Sequence, residues 1–139
     1  MQAILRILGR AGGYRPTLYL KIDNPPYMAL VIEAMREPGP LGLPALSIAH
    51  YGEQNGDLMR DPEMCFELSK PVGGKLTLDP YCWRNDYIAV EQFSRMIVRG
   101  HYIALPGLHS QQERFAAAWD KNLGLQGFEE AFTDAAIRG

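Results

Sequence analysis

"ALSIAHYGEQNGDLMRDPEMCFEL", residues 45–68, places two alternating runs on either side of a polar stretch. In the first run Leu46, Ile48 and His50 share one face, while Ser47, Ala49 and Tyr51 share the other. The second run, Glu63 to Leu68, resumes the alternation through Met64, Phe66 and Leu68. A period of two belongs to a strand with one buried face, so the two runs are read as an antiparallel hairpin. Gly52 to Pro62 is read as a long loop between them. Within it, Asn55–Gly56 suits positive φ and Asp61–Pro62 starts a turn.

Upstream, "TLYLKI" (17–22) alternates with Leu18, Leu20 and Ile22 on one face, and "DNPP" (23–26) is a turn. "YMALVIEAM" (27–35) lies between two turn signals and reads as a strand, followed by the Pro- and Gly-rich loop "REPGPLGLP" (36–44). Downstream, "KPVGGK" (70–75) is a turn leading into a strand over "KLTLDPYCW" (75–83). Further strands are expected at Tyr87–Phe93 and Arg95–Val98, with a tight hairpin around Arg99 and Gly100. From Leu108 the spacing becomes helical, with Phe115, Ala116, Trp119 and Leu123 recurring and Gly124 and Gly127 marking the end. "FEEAFTDAAI" (128–137) offers a short closing helix. At the other end Ile4, Leu5 and Leu8 share one face of a short amphipathic helix. The expected architecture is a single α+β domain, residues 1–139. In it a curved antiparallel sheet is packed by a C-terminal amphipathic helix, with a short N-terminal helix.

Composition narrows the function. Apolar residues make up 47% and charged residues 22%, the balance of a chain that folds around a core. A net charge of −2 lacks the basic excess of a duplex binder. The N-terminal apolar run is interrupted by Arg6 and Arg10 and is too short to span a bilayer. It has neither the continuous apolar segment nor the cleavage site of a signal peptide. The expected location is the cytoplasm, where Cys65 and Cys82 are reduced, buried thiols.

The polar stretch carries the candidate site: His50, Tyr51, Glu53, Asn55, Asp57, Arg60, Asp61 and Glu63. Read as a calcium loop from Glu53, it has Leu58 at position six and Met64 at position twelve, where Gly and Glu are required. Zinc finds only three scattered histidines, His50, His101 and His109, and no paired cysteines. No metal and no cofactor is assigned. Signatures of a nucleophile elbow and of a phosphate-binding loop are missing, and no catalytic residue is assigned. Arg60 has Asp57 and Asp61 within reach as ion-pair partners, so each residue of the stretch has a structural role available.

Three blocks, "NPPYMALVIEAM" (24–35), "AHYGEQNGDLMRDPEMCFE" (49–67) and "AAWDKNLGLQGF" (117–128), resemble a bacterial domain family of unknown function associated with plasmids and integrated conjugative elements. The resemblance runs from about Thr17 to Phe128. It implies a cytoplasmic accessory protein of a mobile element and brings no activity, cofactor or catalytic residue. Two functional classes follow. The first is a non-catalytic module whose polar loop meets a protein partner, with anchors among Tyr14, Tyr51, Tyr81 and Tyr87. The second is a small hydrolase or nucleotide-processing enzyme with His50, Glu53, Asp57 and Glu63 lining a cleft. There Asp57 or Glu63 would be the base and Arg60 the anion anchor. Nucleic-acid binding through Arg84, Arg95 and Arg99, with Trp83 and Tyr87 stacking, ranks below both.

Overall fold

In the computed structural model, which describes residues 1–70 and 74–139, six strands form one open antiparallel sheet. They are β1 (Tyr19–Asn24), β2 (Tyr27–Ala34), β3 (Ala45–Gln54), β4 (Asp57–Ser69), β5 (Thr77–Asn85) and β6 (Val90–Phe93), ordered in space as in sequence. Helix α1 (Gln2–Arg10) precedes the sheet. A separate two-stranded ribbon, β7 (Arg95–Val98) and β8 (His101–Ala104), leads into α2 (Pro106–Leu125) and α3 (Phe128–Ala131). The α+β reading therefore holds.

The long loop does not. β3 and β4 run on to Gln54 and Asp57, and the connection is the two-residue turn Asn55–Gly56, with φ of 53° and 85°. Such a turn needs positive φ at both positions, which Asn-Gly adopts at low cost. The strand character of residues 52–61 was hidden because this end of the hairpin projects past the core. Both of its faces meet water, and no hydrophobic alternation remains to be seen. Between the pairs Ala49↔Glu63 and Tyr51↔Arg60, β4 carries one residue more than β3. Pro62 lies in this bulge, where its missing N–H removes little from the ladder.

Other boundaries also move. Of the strand expected at Tyr87–Phe93 only Val90–Phe93 pairs; Tyr87–Ala89 belong to the preceding turn, where Ala89 has φ 53°. Arg99 and Gly100 do form the tight turn, at φ 52° and 79°. The turn expected at 70–75 includes residues 71–73, which lie outside the described residues.

The core lies between one face of the sheet and the helices. Leu20, Ile22, Leu30, Ile32, Leu46, Ile48, Met64 and Phe66 meet Ile4, Ile7 and Leu8 of α1 and Ala116, Trp119 and Leu123 of α2. Ile7, rather than the expected Leu5, completes the buried stripe of α1. On α2 the buried positions are Gln112, Ala116, Trp119 and Leu123, whereas Phe115 is 38% exposed. Its ring closes the rim of the core against Trp83 and Trp119, at centroid distances of 5.7 and 6.1 Å. Gln112 is tolerated inside because its amide is satisfied: Oε1 accepts from the Ser94 hydroxyl at 2.5 Å, and Nε2 donates to the Gln92 carbonyl at 3.0 Å.

Two polar ties fix the frame. Asp120 of α2 accepts from the backbone N–H of Gln2 at 3.0 Å and of Ala3 at 2.9 Å. A side chain from α2 thus serves as the cap that Met1 cannot supply for α1. Asp120→Ala is expected to cost about 1 kcal/mol, in the range for losing such a cap. Urea unfolding checks this: the midpoint falls at unchanged slope, and an unchanged midpoint refutes the role.

On the opposite face of the sheet, Glu67 and Arg95 form a buried ion pair, with Arg95 Nη1 2.6 Å from Glu67 Oε1. The other Glu67 oxygen accepts from the N–H groups of Leu41 and Leu43, at 2.9 and 3.3 Å. Arg95 also donates to the carbonyls of Pro80 and Asp79, at 3.2 and 3.1 Å. One pair thereby anchors both the 36–44 loop and the base of the β7–β8 ribbon. Gly39 is required beside it, since a Cβ there would stand 1.9 Å from Glu67 Cγ.

Candidate functional site

Strand alternation separates the eight candidate residues. His50 lies on the helix side, buried, between the rings of Trp119 and Phe128 at 5.6 and 5.4 Å. Its Nδ1 is 3.2 Å from the Ala29 carbonyl, and burial pushes the imidazole pKa below its ordinary value despite that contact. Tyr51, next along β3, lies on the opposite, open face. Burial, with the charges of Glu63 and Glu33, raises its phenol to about 12. Glu53, Asn55 and Asp57 project into solvent at the hairpin tip.

The remaining three tie the hairpin stem to its neighbours. Arg60 grips Asp86 bidentately, with Nε and Nη2 at 3.0 and 3.1 Å from the two carboxylate oxygens, and its own backbone N–H adds a bond of 2.7 Å. These bonds hold the Asp86 carboxyl below the usual carboxylate range. Asp61 accepts from the Asn85 amide at 2.8 Å. Arg60 thus pairs with Asp86, not with Asp57 or Asp61. Glu63 is buried and accepts from the Ser47 hydroxyl at 2.6 Å and from Arg84 Nη1 at 2.5 Å, with Arg60 Nη1 at 3.5 Å. Arg84 extends the row to Glu91 at 2.7 Å.

Sequence reading missed Glu33, Ser47, Asn85 and Asp86, and it offered Arg84 for nucleic acid instead of for Glu63. Strand register was the available signal, because Ala49, Glu63, Arg84 and Glu91 form one row across β3 to β6. Cross-strand neighbours of opposite charge pair in that way. The open face they occupy carries two shallow depressions that share Glu33. One, of about 320 Å3, reaches Ser47 and Glu63. The other, of about 390 Å3, is lined by Tyr19, Lys21, Val31, Tyr51 and Leu58. Burial, and then the charge of Glu63, raises the Glu33 carboxyl above its ordinary value.

Catalysis by the candidate carboxylates needs them to converge. Instead Glu53 and Asp57 stand in water, Glu63 is engaged by three donors, and His50 faces the other side of the sheet. Two of the arginines considered for nucleic acid are engaged as well, Arg84 by Glu63 and Glu91 and Arg95 by Glu67. Cys65 and Cys82 face each other across β4 and β5 as buried free thiols, and their contact, then burial, pushes the Cys65 thiol up. Among the described residues no three His, Cys, Asp or Glu side chains gather as a metal site, and no described helix is long and apolar enough to cross a membrane.

A family model described as "Domain of unknown function (DUF6908)" matches residues 2–129. No curated protein and no solved structure matches the chain.

Proposed function

We propose, from the premise that the chain belongs to the family described as a domain of unknown function (DUF6908), that it is a non-catalytic protein-binding module. Its recognition surface is the open face of the β3–β4 hairpin with the adjoining strands β1 and β2. The observation that carries this reading is the depression bounded by Tyr19, Tyr51 and Leu58, in which Leu58 is 73% exposed. Aromatic and aliphatic side chains form its middle, while Lys21, Glu33 and the acidic tip form a charged rim, as at protein interfaces. The scaffold is rigid, because the stem is held by the Arg60–Asp86 and Asp61–Asn85 contacts, so little ordering cost opposes binding. By the resemblance of its three sequence blocks, the module is an accessory protein of a bacterial mobile element, acting in the cytoplasm on a host or transfer protein.

Leu58→Asp tests it. The side chain supports no core, so the melting temperature is expected to stay within the small range of surface substitutions. Capture of a host-lysate protein by the wild type is expected to fall at least tenfold. Glu53→Ala with Asp57→Ala should weaken capture less and reduce its salt dependence. Equal capture by wild type and Leu58→Asp, or no specific capture by the wild type, overturns the proposal.

A further inference from the structure

We infer that a second copy of this chain pairs with it through the outer edge of β8. The β7–β8 ribbon stands outside the six-stranded sheet, and Ile97, Val98, Tyr102, Ile103 and Leu105 on or beside it are each 38–52% exposed. The register sets Ile97 opposite Tyr102 and Met96 opposite Ile103, so apolar groups appear on both faces of the ribbon. The segment from Gly100 to Pro106 contains no Lys, Arg, Asp or Glu, and β8 itself contains no proline. Charges and prolines are what ordinarily keep sheet edges apart. This edge has neither.

Hydrogen-bond phase shows which groups are free. In a hairpin closed by a two-residue turn the flanking pair, here Val98↔His101, exchanges both of its hydrogen bonds. Met96↔Ile103 is then the next bonded pair, and the bond from Leu105 N–H to the Ser94 carbonyl, 2.7 Å, continues the phase. The N–H and C=O groups of Tyr102 and Ala104 therefore point away from β7, at the free edge.

The edge is complementary to itself. Antiparallel pairing centred on Ile103 places Tyr102 of each copy opposite Ala104 of the other, so all four outward groups of each strand find partners. A large side chain then faces a small one, and Ile103 meets its own counterpart beside Met96 and Val98. The apolar stripe becomes continuous over four strands. A shift of one residue sets outward groups against inward ones, and a shift of two loses half of the bonds. No like charges oppose each other. Such a contact belongs at the small end of interface sizes, so the dimer is expected to dissociate at roughly micromolar concentration.

Sedimentation equilibrium of the full chain from about 1 to 200 µM, a range chosen to bracket that constant, is expected to show the mass rising from monomer towards twice that value. Ile103→Arg, at an exposed site, should stay monomeric with an unchanged melt. Register is tested by Ile103→Cys, because in this pairing the two Cα atoms would be about 4.5 Å apart, within disulfide range. With oxidised glutathione as acceptor, two new thiols lose two protons and two electrons and form one intermolecular bond. The buried Cys65 and Cys82 leave the wild type as an unlinked control. A wild type that is monomeric throughout overturns the inference, and so does Ile103→Cys linking no faster than Val98→Cys.

Discussion

Arg95→Ala is expected to destabilise the fold by about 3–5 kcal/mol, because it leaves the Glu67 carboxylate buried with no counter-charge. Two backbone N–H groups, from Leu41 and Leu43, would still reach Glu67, which places the cost below that of an isolated ion. The loss should not be confined to the pair. Arg95 also fastens the ribbon to the carbonyls at Asp79 and Pro80, so β7 is expected to exchange its amide hydrogens early in the variant. Replacing both residues with methionine removes the uncompensated charge and should recover a large part of the loss. Recovery is expected to be incomplete, since the N–H groups of Leu41 and Leu43 would then lack their acceptor. Urea denaturation of the two single variants and the double variant measures the coupling. A single-variant cost under about 1 kcal/mol would place the pair among surface contacts and remove it from the account of the frame.

The contrast between Arg95 and Leu46 shows what a lone sequence discloses. Leu46, Ile48, Met64 and Phe66 announce a buried face because the core selects apolar side chains at every second position, and that selection is local. Asn55–Gly56 announces its turn for an equally local reason, the φ it must adopt. Arg95, Asp120 and Glu63 owe their roles to partners at separations of 28, 118 and 21 residues. Nothing beside them in the chain records those partners. The sequence alone therefore offers Glu63 as a site residue and Arg95 as a nucleic-acid contact, and discloses neither ion pair. The polar stretch misled for a related reason. Polar residues dominate Gly52–Pro62 and suggest a loop, yet the stretch continues both strands, and alternation leaves His50 in the core, Tyr51 on the open face and Glu53 at the tip. Density of polar residues along a strand is not convergence in space.

Trp119 couples the core to pH, and this coupling separates two consequences of one substitution. Trp119→Ala removes a side chain that is 6% exposed at the centre of the α2 contact, and about 3–5 kcal/mol is expected for such a truncation. It also removes one of the two rings between which His50 is held. In the native protein burial lowers the His50 pKa, so the unfolded chain binds the proton more readily than the folded one. Stability from this residue is then fully present above the unfolded value of about 6.5 and is lost as pH falls from there towards the lower folded pKa. Between pH 7.5 and 5.5, chosen to span that value, the wild type should lose stability, and His50→Asn should lose less. Trp119→Leu keeps α2 docked while admitting water to the ring, so its curve should be displaced downwards yet flatter than the wild-type curve. A ring titration followed by NMR should move in step, with the His50 pKa rising towards its ordinary value in Trp119→Leu. Parallel stability curves in wild type and Trp119→Leu would mean that the indole packs the helix but does not dehydrate the imidazole. The dehydration that depresses the pKa would then have to come from Phe128 and the rest of the core, against the opposing pull of the Ala29 carbonyl.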